Sequence, residues 1–197
     1  MADARAGDRR VGVAHHYGWA VAVTADASHR VIDRRRIELI DPDLPAAPIH
    51  HEGGAHELHR TGDPLDDDAL AALVSRVRDS VMRTSAAALD DLAADVGPID
   101  SLSVRAWPDD LPVDIATLRR PPHESRADSA MYCQVLAALA EDRGWTVHRF
   151  DARTVEAQAA ERLGDRADEV LRGPRKALGP PWAKDHRLAL AATVLAG

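Results

Sequence analysis

Residues 11–23 read VGVAHHYGWAVAV, and this stretch decides the architecture expected for the first part of the chain. Valine and alanine surround an aromatic pair, a composition typical of a buried strand, and we predict one strand over residues 11–24. A turn follows at residues 26–29. The next segment, RVIDRRRIELI (30–40), alternates apolar and polar residues as a half-exposed strand does. The two strands are expected to pair as a hairpin.

The rest of the sequence alternates helical and strand patterns. Leu70, Leu73, Val77 and Val81 recur at helical spacing, which predicts a helix from about Pro64 to Gly97, with or without a break. Strands are predicted in residues 99–107 and 145–150, with a weak third-strand signal at 56–61, and helices in residues 124–144, 154–164 and 184–196. Residues 173–182 are predicted as a loop. This order predicts an α/β fold in which helices cross over a mixed sheet.

Length and charge limit the class of protein. The 197 residues suffice for one core, and we predict a loose tail at residues 1–9 and a single domain over residues 10–197. The net charge of −7 gives no overall field that attracts nucleic acid or anionic membranes. Arginine clusters at residues 34–36, 119–120 and 172–176 leave open either a local basic face or solvated edges of strands and helices.

The remaining composition points to an ordinary intracellular protein. Cys133 is the single cysteine, so an internal disulfide is excluded, and its apolar surroundings predict a buried, inert thiol. No segment has the length and apolarity of a membrane span. The first ten residues lack the apolar core of a secretion signal, and we expect a cytoplasmic location. The absence of a GxxxxGK[ST] run excludes a P-loop NTPase.

Four segments resemble the ribonuclease H-like superfamily, and within it the RuvC-type Holliday-junction resolvases. The longest, SRADSAMYCQVLAALAEDRGWTVHRFDARTVEAQAAERLG (125–164), is similar to the family's helix, strand and helix after its fourth strand. PIDSLSVRAW (98–107) is similar to the fourth strand, RVGVAHHYGWAVAV (10–23) to the first strand and WAKDHRLALAATVLA (182–196) to the last helix. The resemblance covers most of the chain in order. It implies a ribonuclease H-like mixed sheet flanked by helices.

The same resemblance implies a nuclease site whose acids are missing here. The family cleaves phosphodiesters with two divalent ions roughly 3.5–4 Å apart, held by carboxylates because Mg²⁺ prefers oxygen ligands. The first-strand acid falls on Ala14, the fourth-strand acid on Arg105 and the last-helix acid on His186. Only Asp185 survives nearby, and a shift of one residue on a helix turns a side chain by about 100°. We therefore predict a catalytically degenerate site.

Histidines offer an alternative set of metal ligands. His15, His16, Asp185 and His186 could bind zinc or another transition metal, or could form a polar hydrogen-bonded cluster. Side chains alternate along a strand, so only one of His15 and His16 is expected to face a cleft. The histidine-rich segment HHEGGAHELH (50–59) has side chains that suit zinc but lacks the His-Glu-x-x-His spacing of zinc proteases, and a solvated or edge histidine cluster that responds to pH is expected there.

Arg105 also has two interpretations. At the end of a central strand, its guanidinium could hold a phosphate or carboxylate through two hydrogen bonds. The alternative is a structural salt bridge with Asp185 or Glu124. Position alone does not decide between them.

Three functions remain open. We prefer a catalytically degenerate RuvC-like protein that binds branched or structured nucleic acid, or a protein partner, through Arg105, His15 and His16. The second is a nuclease that holds Mg²⁺, Mn²⁺ or Zn²⁺ through Asp185, His186 and His15. The third is a structural homodimer joined by the small residues of the helix at residues 129–140.

Overall fold

Five strands build the sheet in the computed structural model, which describes residues 9–54 and 63–197. They are β1 (Arg10–His15), β2 (Trp19–Ala25), β3 (Val31–Glu38), β4 (Ser101–Arg105) and β5 (Thr146–Phe150). The order across the sheet is β3-β2-β1-β4-β5. β2 runs antiparallel to β1 and β3, and β4 pairs in parallel with β1 and with β5. The predicted α/β mixed sheet is confirmed.

The stretch predicted as a single strand over residues 11–24 is two antiparallel strands, so that prediction is wrong. The chain turns at residues 16–18, where the His16 N–H donates to the Trp19 carbonyl at 2.8 Å. Gly18 has a φ of 84°, a conformation that glycine adopts without steric cost. The residues beside Gly18 carry no other common turn signal. Because both flanking segments are apolar, the sequence pattern did not indicate that the strand is divided there. The meander therefore has three strands; the weak strand signal at 56–61 falls outside the described residues.

Seven helices surround the sheet in the described ranges. They are α1 (Asp67–Val96), α2 (Ile115–Leu118), α3 (Glu124–Asp142), α4 (Val155–Leu163), α5 (Ala167–Arg172), α6 (Pro174–Leu178) and α7 (Lys184–Leu195). A π-helical turn spans Pro48–Gly53, and a 3-10 turn spans Gly164–Arg166. The predicted helix after Pro64 is one unbroken helix, capped where Asp66 accepts the Ala69 N–H at 2.8 Å. The loop predicted at residues 173–182 is partly helical.

Two cores hold the helices on opposite faces of the sheet. Val13 and Leu102 point toward α1 and α3, and Ala14 and Val23 point toward α4, α5 and α7. The closest approach is that of α7 to β1, because a methyl group at Gly12 would overlap the Ala189 carbonyl. This contact holds the last helix, α7, against the first strand, β1. According to the resemblance, β1 carries the first acid position and α7 carries the last.

Helix α3 is largely buried within the fold. Its small residues Ala130, Ala137 and Ala140 are buried, and the helix packs on α1 and on β4 and β5. The small-residue face proposed for a homodimer is thus used for intramolecular packing, and that basis for dimerisation is wrong. Among the described residues, no helix is long and apolar enough to cross a membrane.

The predicted N-terminal tail is described only at its last residue. Residues 1–8 lie outside the described residues. The Arg9 N–H donates to the Asp100 carboxylate at 2.8 Å, and the Arg9 guanidinium donates to the Val96 carbonyl. Arg9 is thereby attached to the segment that joins α1 to β4.

Candidate functional site

A cleft of about 970 Å³ opens where β1, β4 and β5 end at the same edge of the sheet. In open α/β sheets, ligands bind at the carboxyl ends of the strands. His15 ends β1, Arg105 ends β4, and Asp151 follows β5. The helical walls are formed by α3 with Ser125, Arg126 and Ser129, by α4 with Glu156, and by α7 with Lys184 and Leu188.

Arg105 lines this cleft, and Ala14 on the neighbouring strand is buried in the core. The parallel register pairs Gly12 with Ser103, so two residues further along both strands Ala14 and Arg105 are neighbours on the same face of the sheet. Arg105 is half-buried and forms no ion pair with any residue in the part of the chain that the structure describes. The structure does not form the predicted salt bridge of Arg105 with Asp185 or Glu124.

The charged lining of the cleft is mostly cationic. Its cations are Arg105, Arg126, Arg153 and Lys184. Within residues 9–54 and 63–197, none of these four side chains forms an ion pair. The carboxylates in the lining are Asp151 and Glu156, and Glu156 is paired with Arg187 at 2.8 Å. The cleft is therefore locally positive in a chain whose net charge is −7.

His15 packs against α3. It is 4% exposed, its Nε2 lies 2.9 Å from Ser129 Oγ, and its Nδ1 lies 3.5 Å from Cys133 Sγ. Burial, with a smaller contribution from the Arg105 charge, lowers the pKa of His15 to about 3. The imidazole is neutral at neutral pH. Cys133 is buried as predicted, and burial raises the pKa of its thiol to about 12.

The structure joins two of the predicted site residues and separates the others. His16 Nε2 lies 2.9 Å from Asp185 Oδ2, and its ring stacks on Trp19 with centroids 4.2 Å apart. His186 is buried, and its Nδ1 accepts the Ala183 N–H at 3.3 Å. His15 and His16 both line the cleft, contrary to the prediction from strand alternation, because His16 lies in the turn after β1.

The residues at the implied acid positions do not fit a pair of divalent ions. Ala14 has no ligand atom, Arg105 is a permanent cation, and the Nδ1 atom of His186 is already hydrogen-bonded to the backbone. In the described ranges, no group of three or more His, Cys, Asp or Glu side chains is placed to hold a metal ion. The set His15, His16, Asp185 and His186 gains no geometric support as a metal centre.

The histidine-rich segment is only partly described. Residues 55–62, which include His56 and His59, lie outside the described residues. His50 and His51 lie in the π-helical turn and are half-buried. Asp128 of α3 accepts the backbone N–H groups of Ile49 and His50 at 3.2 and 2.9 Å. Burial raises the pKa of Asp128 to about 7.

The arginine clusters of the sequence mostly serve the fold. Arg34 donates to the carbonyl of Leu178 at the end of α6 at 2.9 Å and to that of Gly179 in the following loop at 3.0 Å. Arg35 pairs with Asp33 and Asp95. The guanidinium of Arg119 ties α1 to the segment before α3. The basic cleft is instead built from cations that are far apart in the sequence, and no local pattern marks them.

Comparison with known proteins supports a relationship at the level of the fold. No family model and no curated protein matches this sequence. Among solved structures, T. thermophilus RuvC in complex with Holliday junction substrate matches with a TM-score of 0.52, covering 95% of this chain and 90% of that chain. The fold is RuvC-like. Sequence identity is 12%, so the similarity confirms the predicted ribonuclease H-like architecture and extends no further.

Proposed function

We propose that this RuvC-like protein binds branched or structured nucleic acid in its cationic cleft and does not cleave it. The observation that carries the proposal is Arg105, a half-buried guanidinium without a counter-ion among the described residues, at the end of a central strand. Nucleic-acid phosphates supply the missing negative charge. The similar solved structure is of RuvC bound to a Holliday junction, which favours a branched ligand.

Electrostatics favours a phosphate backbone as the ligand. An arginine holds two phosphate oxygens through parallel N–H bonds, and such charge-assisted bonds are roughly twice as strong as neutral ones. Arg126, Arg153 and Lys184 are exposed around Arg105 and add positive charge that a backbone can follow. Each neutralised phosphate releases counter-ions, so log K falls with log salt by about 0.9 for each phosphate contacted. Binding through this cleft is therefore expected to weaken steeply as salt increases.

We expect no cleavage because of the side chains that stand at the implied metal-ligand positions. Metal-assisted phosphodiester cleavage requires oxygen-rich ligands that hold the ions in place. Ala14 and Arg105 occupy two of the positions where the resemblance implies carboxylates, and an arginine repels a cation. A bound phosphate therefore meets a guanidinium instead of a metal ion, and no activated water is generated by that route.

Fluorescence anisotropy tests the proposal with a labelled four-way junction, a duplex of the same length and a single strand. We expect the tightest binding to the junction at low salt. The double variant Arg126→Gln/Arg153→Gln should bind more weakly and should lower the salt slope by about 2. Arg172→Gln is the matched control, because Arg172 is exposed, pairs with Asp168 and lies outside the cleft.

Two results would contradict the proposal. One is the absence of binding to all three nucleic acids at low salt. The other is a double variant that binds with the same affinity and salt slope as Arg172→Gln. In that case the cationic side chains of the cleft would not be the binding surface.

A further inference from the structure

We infer that Arg105 forms a phosphate subsite that takes the place of the divalent ions, so that its guanidinium holds one phosphate group of the nucleic acid directly. The inference rests on the proposed function and assigns the chemistry at the centre of that site. Its ligand is a phosphate group carrying two free oxygens, as in a backbone phosphodiester or in inorganic phosphate.

The position of Arg105 suits this role. The residue ends β4, a strand hydrogen-bonded to β1 on one side and β5 on the other, so its backbone is held by the sheet. Ala14 on the neighbouring strand provides no carboxylate to neutralise the guanidinium. The side chain is half-buried, and charges interact more strongly where water is partly excluded. A ligand that pairs with Arg105 gains more there than at an exposed arginine.

The nearby carboxylates do not compete for Arg105. Glu156 accepts a hydrogen bond from Arg187 at 2.8 Å. Asp151 accepts the backbone N–H of Arg153 at 2.8 Å, and Asp185 is engaged by His16. None of these three carboxylates forms an ion pair with Arg105. A phosphate entering the cleft meets a free guanidinium.

The polar side chains on the opposite wall suit a phosphate as well. The hydroxyl of Ser129 lines the cleft from α3, 2.9 Å from His15 Nε2. When His15 Nε2–H donates to the Ser129 hydroxyl oxygen, the single hydroxyl proton of Ser129 is free to donate to a phosphate oxygen. The exposed side chains of Arg153 and Lys184 lie at the same cleft and can reach adjoining phosphates.

A metal-dependent site and a guanidinium site respond differently to a chelator. If the phosphate is held through a divalent ion, EDTA weakens binding. If the phosphate is held by Arg105, EDTA does not weaken binding, and the shape of the guanidinium matters in addition to its charge. Lysine keeps the charge but loses the planar fork of donors. The comparison of Arg105→Gln with Arg105→Lys therefore separates charge from geometry.

Two measurements test the inference, with inorganic phosphate and a four-way junction as probes. Phosphate should raise the unfolding temperature of the wild type relative to chloride of equal ionic strength, and this rise should disappear in Arg105→Gln. In EDTA, the wild type should bind the junction at least as tightly as in Mg²⁺, and Arg105→Gln should bind about tenfold more weakly than the wild type or worse. Arg105→Lys should fall between them, and Arg172→Gln should match the wild type.

The results of these measurements distinguish a failure of the Arg105 subsite from a failure of the proposed function. If Arg105→Gln binds the junction as well as Arg172→Gln, or if EDTA abolishes wild-type binding, the subsite is overturned while nucleic-acid binding stands. If phosphate stabilises the wild type through Arg105 but no nucleic acid binds, the subsite stands and the proposed function fails. Circular dichroism establishes that each variant is folded. Should Arg105→Gln not fold, a phosphate response in Arg105→Lys equal to that of the wild type would overturn the subsite.

Discussion

His16 Nε2 lies 2.9 Å from Asp185 Oδ2 and thereby joins the turn after β1 to the first turn of α7. Asp185 is the acid that remains beside the implied last-helix position, and a histidine engages it. The two side chains are 45% and 28% exposed, so water screens their attraction. The pair therefore acts as a modest structural link.

Asp185→Ala should consequently have a small effect. Exposed ion pairs contribute about 0–1 kcal/mol, and we expect a loss of stability in this range with unchanged binding of nucleic acid. Urea unfolding and anisotropy measure the two quantities. The nuclease hypothesis with relocated ligands predicts instead that Asp185→Ala abolishes a metal-dependent activity. Such a loss would show that Asp185 is a ligand.

The buried His15 predicts acid sensitivity. Its pKa in the folded protein is about 3, below the usual 6.5, so the fold favours the neutral imidazole. This contribution to stability is complete above pH 6.5 and is lost as the pH falls from 6.5 toward 3. Each unit of pKa difference corresponds to about 1.4 kcal/mol, which makes the total on the order of a few kcal/mol.

His15→Gln tests this origin of the acid sensitivity. Glutamine does not titrate, so the free energy of unfolding of the variant should fall less than that of the wild type between pH 6.5 and 4. Urea titrations at several pH values give the comparison. Parallel curves for the two proteins would mean that His15 is not the group responsible. His123→Gln, at a half-buried position before α3, is a control that should retain the wild-type slope.

Asp128 predicts a pH dependence of opposite sign. Burial raises its pKa from 3.8 to about 7, so the folded protein favours the neutral carboxyl group. The associated stability is complete below pH 3.8 and is lost as the pH rises toward 7. Asp128→Asn should remove this decrease. It should also cost stability at low pH, because the amide NH₂ cannot accept the N–H that one carboxylate oxygen now accepts.

Unfolding free energies of Asp128→Asn between about pH 4 and 7 test this assignment. Asp109→Asn is the control, since Asp109 is exposed and pairs with Arg149. We expect the control to keep the wild-type dependence and Asp128→Asn to become more acid-sensitive overall, because His15 then acts alone. An Asp128→Asn curve parallel to the wild type would show that Asp128 is ionised in the fold throughout this range.

The sequence predicted the fold better than it predicted the site. Apolar periodicity and the residues that begin and end helices predicted the long α1 and the mixed sheet. These patterns are readable in the sequence because one whole face of each helix or strand is buried. The turn at residues 16–18 was missed because it contains a single glycine between two apolar strands. Ala14 and Arg105 were singled out through a family resemblance. Their placement on the same face of the sheet required the register of β1 and β4.

The cations around Arg105 could not be predicted from local sequence. Arg126, Arg153 and Lys184 are separated along the chain and become neighbours only when α3, α7 and the end of β5 converge. The conspicuous run at residues 34–36 was misleading for the opposite reason. It lies on the edge strand β3, where carboxylates and loop carbonyls already satisfy its guanidinium groups. Charge density along a sequence therefore does not identify unpaired charge in the folded protein.

The central claim is that the cleft binds nucleic acid without cutting it, and one experiment measures both properties in the same sample. Tag-free protein is incubated with an end-labelled four-way junction in Mn²⁺ at low salt, and each sample is divided between anisotropy and a denaturing gel. We expect a bound junction with all strands intact. Shortened strands in the wild type that disappear in Asp185→Ala would contradict it, since the chain would then carry an active metal centre.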